Sequence, residues 1–100
     1  MNLVEFIAKQ MAWSHKTFGG GRRTEGMIDH ITKELKEIEN DPESLGEWCD
    51  VIILALDGAW RAGHTPAQIE RALERKQKTN FARQWSKPTK NFAVEHIHEE

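Results

Sequence analysis

The feature that most restricts the fold is the run from Trp48 to Leu56, in which Asp50 alone is not apolar. At helical spacing, Trp48, Cys49, Val51, Ile52, Ile53, Leu54, Ala55 and Leu56 leave almost no polar side, so a helix here is expected to be buried nearly all round. Its longest unbroken apolar stretch, Val51 to Leu56, is far short of the ~20 residues that a membrane-spanning helix needs. A soluble helical bundle is the expected setting, with no membrane partner.

Glycine and proline divide the rest. Leu3, Phe6, Ile7 and Met11 mark an amphipathic helix from Leu3 to about Trp13, and Phe18-Gly19-Gly20-Gly21-Arg22-Arg23 then forms a loop, because three glycines disfavour helix. Thr24 is the expected N-cap of a second helix carrying Met27, Ile28, Ile31, Leu35 and Ile38 along one side to about Asn40. Asp41-Pro42 reads as a cap and first turn, starting a third helix that Gly63 stops after about Ala62. Thr65-Pro66-Ala67-Gln68 resembles a capping box and opens a fourth helix to about Gln84. From Ser86 onward, with Pro88 as a break, a tail with a short C-terminal helix is expected. The reading is all-α, one domain over 1–100.

Carboxylates stand where such helices would bury them. Glu34 and Glu37 lie about 60° apart on one flank of the second helix, with His30 projecting between them. Glu47 and Asp50 are paired likewise on the third, and an ionised Asp50 inside an apolar helix needs compensation. Two successive helices with a short connection are expected to pack antiparallel, which brings Glu34, Glu37, Glu47 and Asp50 together. Four oxygen donors suit a hard cation, Mg²⁺ or Mn²⁺, better than zinc or redox iron. The alternative is a structural network in which Asp50 pairs with an Arg or Lys of another helix. Cys49 is the single cysteine, which excludes an intrachain disulfide, and it reads as a small buried hydrophobe; His15, His64, His96 and His98 read as surface residues or as groups that support the site without binding metal. Asp57 and Arg61 form an i,i+4 pair that reaches the site, another subunit, or only itself.

Net charge is -2, so no overall positive field argues for a nucleic-acid partner. Near-neutrality is a cancellation. Glu25 to Asp50 holds nine acids against Lys33 and Lys36, and Arg71 to Lys90 holds seven bases against Glu74. Lys76, Asn80 and Arg83, at i, i+4 and i+7 on the fourth helix, either contact phosphate oxygens or form an ordinary solvated face. The N-terminus lacks the features of a signal peptide, which makes the cytoplasm the expected compartment.

Glu34-x-x-Glu37, Glu47-x-x-Asp50 and the Lys76, Asn80, Arg83 set resemble the all-α nucleoside triphosphate pyrophosphohydrolases of the MazG and dimeric dUTPase type. Trp13-Ser14, Thr17-Phe18-Gly19, Arg23-Thr24-Glu25-Gly26, Ile28-Asp29-His30-Ile31 and Glu47-Trp48 to Gly63-His64 look like the MazG-like dATP/dGTP diphosphohydrolase family. The resemblance covers nearly the whole chain. It implies a bundle of four main helices with a C-terminal tail and Mg²⁺-dependent attack of water on the α-phosphate of a (deoxy)nucleoside triphosphate, with the purine dNTPs dATP and dGTP the expected substrates, releasing the monophosphate and pyrophosphate. It also implies that Glu34, Glu37, Glu47 and Asp50 ligate metal, that Glu34 or Glu37 helps deprotonate water, and that Lys76, Asn80 and Arg83 hold phosphate or sugar. Arg23 and the glycine loop would close over phosphates, and Trp13, Phe18 or Trp85 would stack on the base. Only nine residues separate Glu37 from Glu47, a short spacer for this pattern.

Two other functions remain open on sequence alone: a non-enzymatic binding or regulatory module using the basic fourth helix, and an enzyme acting on another phosphorylated compound. Four helices in 100 residues enclose a nucleotide poorly, so a homodimer or homotetramer is expected to complete the core.

Overall fold

Local capping chemistry sets most helix boundaries in the computed structural model, which describes residues 1–85, 93–94 and 96–97. The elements are α1 (Leu3–Phe18), α2 (Thr24–Asn40), α3 (Leu45–Arg61), α4 (Pro66–Ala82), β1 (Gln84–Trp85) and β2 (His96–Ile97). Asn2 Oδ1 accepts from the Glu5 amide at 2.9 Å to start α1. That helix runs five residues beyond Trp13 and stops only at Gly19, whose φ of 87° a side chain would resist. Thr65 and Gln68 form the expected reciprocal capping box of α4, at 2.9 and 3.2 Å.

Two boundaries differ from expectation. Thr24 is the first residue of α2 rather than its cap; Arg23 holds the cap position without a side-chain bond. Asp41-Pro42 does not open α3. Asp41 instead ends α2, donating its amide to the Glu37 and Ile38 carbonyls, and α3 starts after Ser44. Trp48 Nε1 donates to the Pro42 carbonyl at 2.9 Å, pinning the four-residue connection to the new helix.

The chain divides into two compact units, Met1–Glu70 and Arg71–Glu100. In the first, α3 packs on both α1 and α2, and Ile7, Leu56 and Ile69 form the core with Ala59 and Trp60 against it. Glu34 and Glu37 meet Glu47, while Arg23 and Met27 share a groove with Leu54 and Arg61, so α2 and α3 run antiparallel. In the second unit the later part of α4 precedes an antiparallel pairing of Gln84 with Ile97 and Trp85 with His96. Helix α4 thus ends two residues before the expected Gln84. Most of the expected C-terminal tail and its short helix, including Lys87, Pro88, Lys90 and His98, lies outside the described residues. Among the described residues no helix is long and apolar enough to cross a membrane.

The expected all-round burial of α3 is not what one chain provides. Among the described residues α1 and α2 pack along it and Ile69 of α4 meets Leu56 toward its end, which leaves Leu45, Trp48, Cys49 and Ile52 exposed, Ile52 to 56%. Asp50 is exposed too, and Cys49 is not a buried hydrophobe. Helix α2 carries two apolar seams and only one meets α3. Met27, Ile31, Glu34 and Ile38 turn inward, whereas Ile28 (60% exposed) and Leu35 face outward. A carboxylate therefore occupies the middle of the inward seam, and of the four paired acids Glu34, Glu37, Glu47 and Asp50 the buried one is Glu34.

Candidate metal and nucleotide site

The antiparallel packing of α2 and α3 brings Glu34, Glu37 and Glu47 together, with one carboxylate oxygen from each within 4.8 Å of the others. Glu34 is buried and Glu47 half-buried. One oxygen of each, Glu34 Oε2 and Glu47 Oε2, is buried without a hydrogen-bond partner. The other Glu34 oxygen lies 3.4 Å from His30 Nε2, one turn earlier on the same helix. A hydrogen bond shared with Glu37, followed by burial and the charges of Glu37 and Glu34, pushes the Glu47 carboxyl up to about 7. Three acids crowded in this way, with two buried oxygens unsatisfied, have the donor chemistry of a hard divalent cation site. Asp50 does not join this cluster. It is exposed and lines the adjoining cleft instead.

That cleft has a volume of about 330 Å³ and is bounded by α1, the start of α2 and the middle of α3. Glu34 and Asp50 mark its acidic end. Trp13, Phe18 and Arg23 line it as well: the Trp13 and Phe18 rings meet edge-to-face at 5.6 Å, and the Arg23 guanidinium stands 5.5 Å over the Phe18 ring. An aromatic and cationic wall beside a carboxylate cluster offers both a stacking surface and a place for charge-compensated anions. Gln10, Met27, His30, Ile53 and Leu54 complete much of the lining. Lys76, Asn80 and Arg83 belong to the second unit, where the Asn80 carbonyl accepts from Trp85 Nε1 at 2.8 Å.

Ser14 and Asp57 line the cleft too, and they join Arg61 and Trp60 in a polar network whose members the sequence shows only in part. Arg61 and Asp57 pair at 2.8 Å, both buried, and Trp60 Nε1 donates to the other Asp57 oxygen at 2.8 Å. Arg61 Nη2 donates to Ser14 Oγ at 2.9 Å, while Nη1 reaches the Gly19 and Gly21 carbonyls at 2.9 and 3.1 Å. Burial alone would raise the Asp57 carboxyl; hydrogen bonds from Ser14, Arg61 and Trp60 and the Arg61 charge outweigh it and hold the group below its ordinary value. Of the readings open for Asp57 and Arg61, the structure supports two: they pair with each other, Arg61 also tying down the glycine loop, and Asp57 reaches the cleft as a lining residue. Ser14 could have been found: it lies seven residues after Ile7, so a hydroxyl occupies a stripe position of α1 that is otherwise core.

The family model for dATP/dGTP pyrophosphohydrolases matches residues 6–100. Among solved structures, the chain is similar to the cyanophage S-2L MazG-like pyrophosphohydrolase bound to dGDP and three catalytic Mn²⁺ ions per active site. The two share 31% identity with a TM-score of 0.77, over 98% of this chain and 99% of the other. No curated protein sequence matches.

Proposed function

We propose, for a chain that belongs to the dATP/dGTP pyrophosphohydrolase family and is a nucleoside triphosphate pyrophosphohydrolase, that its substrates are purine deoxynucleoside triphosphates cleaved to the monophosphate and pyrophosphate. The observation that carries this reading is the Glu34/Glu37/Glu47 cluster with its two orphaned buried oxygens, opening onto an aromatic cleft. Glu34, Glu37 and Glu47 would hold the metal, with Asp50 completing the ligand set from the cleft side. Mg²⁺ is the proposed ion and Mn²⁺ its substitute, the latter in keeping with the Mn²⁺ ions of the phage enzyme. When bound, such an ion lowers the pKa of a water and neutralises charge developing on phosphoryl oxygens.

The chain's own groups then divide the work. Glu34 or Glu37 orients the attacking water and accepts its proton, so that the water oxygen bonds to the α-phosphorus as the bridge to the β-phosphate breaks. Trp13 and Phe18 receive the base by stacking, and Arg23 neutralises phosphate charge at the cleft mouth. Lys76, Asn80 and Arg83 are assigned to the phosphates and sugar. The bare apolar face of α3, with Trp48 and Ile52, together with Ile28 and Leu35 of α2, is assigned to contact with further copies of the chain in a homo-oligomer.

Incubating the protein with each dNTP and NTP in Mg²⁺ or Mn²⁺, in ¹⁸O-labelled water, tests the reaction. Pyrophosphate and ¹⁸O-labelled monophosphate are expected, fastest from dATP and dGTP. Release of orthophosphate, or no release from any nucleotide by folded protein, would sink the assignment.

A further inference from the structure

Within the proposed function, one buried side chain controls the shape of the cleft without lining it. Arg61 is 5% exposed and directs its donors to three parts of the chain: Ser14 in α1, Asp57 in α3, and the Gly19 and Gly21 carbonyls between α1 and α2. Apart from these, the described hydrogen bonds of the Gly19–Arg23 loop only close the helix ends it joins, Gly19 N–H to the His15 carbonyl and Met27 N–H to the Arg23 carbonyl. Gly19 and Gly21 have φ of 87° and 83°, the left-handed region, so the loop takes a shape that few sequences hold unaided. Phe18 and Arg23, the two ends of this loop, stack as one wall of the cleft. Arg61 is therefore attached to the back of the wall whose front faces the ligand space.

We propose that Arg61 is a positioning residue for nucleotide binding: from the buried side it fixes the Gly19–Arg23 loop and so holds Phe18 and Arg23 as the base- and phosphate-facing wall. This rests on the nucleotide reading of the cleft. The planar, five-donor guanidinium is what the task requires, because one fork satisfies a carboxylate, a hydroxyl and two carbonyls together. A lysine ammonium retains the charge opposite Asp57 but has three donors on one compact centre, and cannot span the loop carbonyls as well.

Arg61→Lys separates the two roles. Each loop hydrogen bond is worth up to about tenfold in an equilibrium, so the variant is expected to keep its helix content while KM for dGTP rises about tenfold. Its kcat should stay within about twofold, and Mn²⁺ affinity by calorimetry unchanged, since the acid cluster lies elsewhere. Independently of turnover, trypsin should cut after Arg22 and Arg23 several-fold faster than in the unaltered chain, the bonds being followed by mass spectrometry. Gly21→Ala, which strains the loop directly, should raise KM similarly and add little to Arg61→Lys. Unchanged KM or unchanged tryptic cleavage in folded Arg61→Lys overturns the proposal, as does a joint fall of kcat and Mn²⁺ affinity. If the unaltered chain itself neither binds nor turns over nucleotide, the functional reading fails first and takes this one with it.

Discussion

Removing the Asp57 carboxylate should destabilise the protein far beyond an ordinary surface change. Asp57 and Arg61 are each 5% exposed, and Asp57 accepts from Arg61 Nε and Trp60 Nε1, both at 2.8 Å. Asp57→Ala leaves a buried guanidinium without its counter-charge, a situation that costs about 3–5 kcal/mol when one partner of a buried pair is deleted. In a chain of this size each 1 kcal/mol lowers Tm by roughly 4–8 °C, so the expected fall is at least about 12 °C. The assay is thermal and urea denaturation followed by far-ultraviolet circular dichroism in chelator, which keeps metal binding out of the comparison. Arg61→Ala leaves the converse orphan, but Asp57→Ala with Arg61→Ala leaves neither. The double variant should therefore lose less than the sum of the singles, by about 1–3 kcal/mol. Additive losses, or a Tm fall in Asp57→Ala of less than about 4 °C, would show that water already solvates the pair and refute the reasoning.

Acid should act through the same carboxylate. Because Asp57 is held below its ordinary value, its ionised form stabilises the fold at neutral pH, and that contribution disappears as pH falls through the folded-state value. Stability should thus drop more steeply below about pH 4 in the unaltered chain than in Asp57→Asn; parallel curves would count against the pairing. Saturating Mn²⁺, at about a hundred times its Kd, should raise Tm by roughly 10 °C, and Glu34→Gln should abolish most of that rise, as differential scanning fluorimetry can show. Asp50→Asn changes an exposed group, so Tm should stay within about 4 °C while pyrophosphate release falls at least tenfold; full turnover would remove Asp50 from the ligand set. Ile52→Glu places a charge on the bare face of α3 and should shift sedimentation toward monomer, whereas an unchanged sedimentation coefficient would exclude that face from assembly.

The sequence was most legible where a boundary depends on a few neighbouring atoms. Gly63 (φ 107°) follows α3 as expected, the Thr65–Gln68 box opens α4, and the glycine triplet interrupts the chain between α1 and α2. It was less legible where a side chain's surroundings depend on which helices are present to cover it. The apolar run around Asp50 implies burial only if enough neighbours exist, and in one chain Trp48, Cys49 and Ile52 stay exposed. Likewise Met27, Ile28, Ile31, Leu35 and Ile38 cannot by themselves say which of two seams turns inward, and that choice buries Glu34 on α2. Asp41-Pro42 misled because a helix-starting dipeptide also serves to end the preceding helix. The contacts of Arg61 with Gly19 and Gly21 join residues 42 and 40 apart, and no local pattern encodes them.

Those separations also bear on how the two ends of the site come into being. Glu37 and Glu47 are ten positions apart and joined by a connection that Trp48 pins through the Pro42 carbonyl. Bringing them together closes a small loop and sacrifices little chain entropy. The wall that faces the ligand instead requires Arg61 to find a segment four times further along the chain. The acidic end is thus a property of one helical hairpin, tolerant of change elsewhere, while the nucleotide-facing end depends on the whole arrangement of α1 against α3. Substitutions that loosen the core should erode ligand selectivity before they erode the capacity to hold metal.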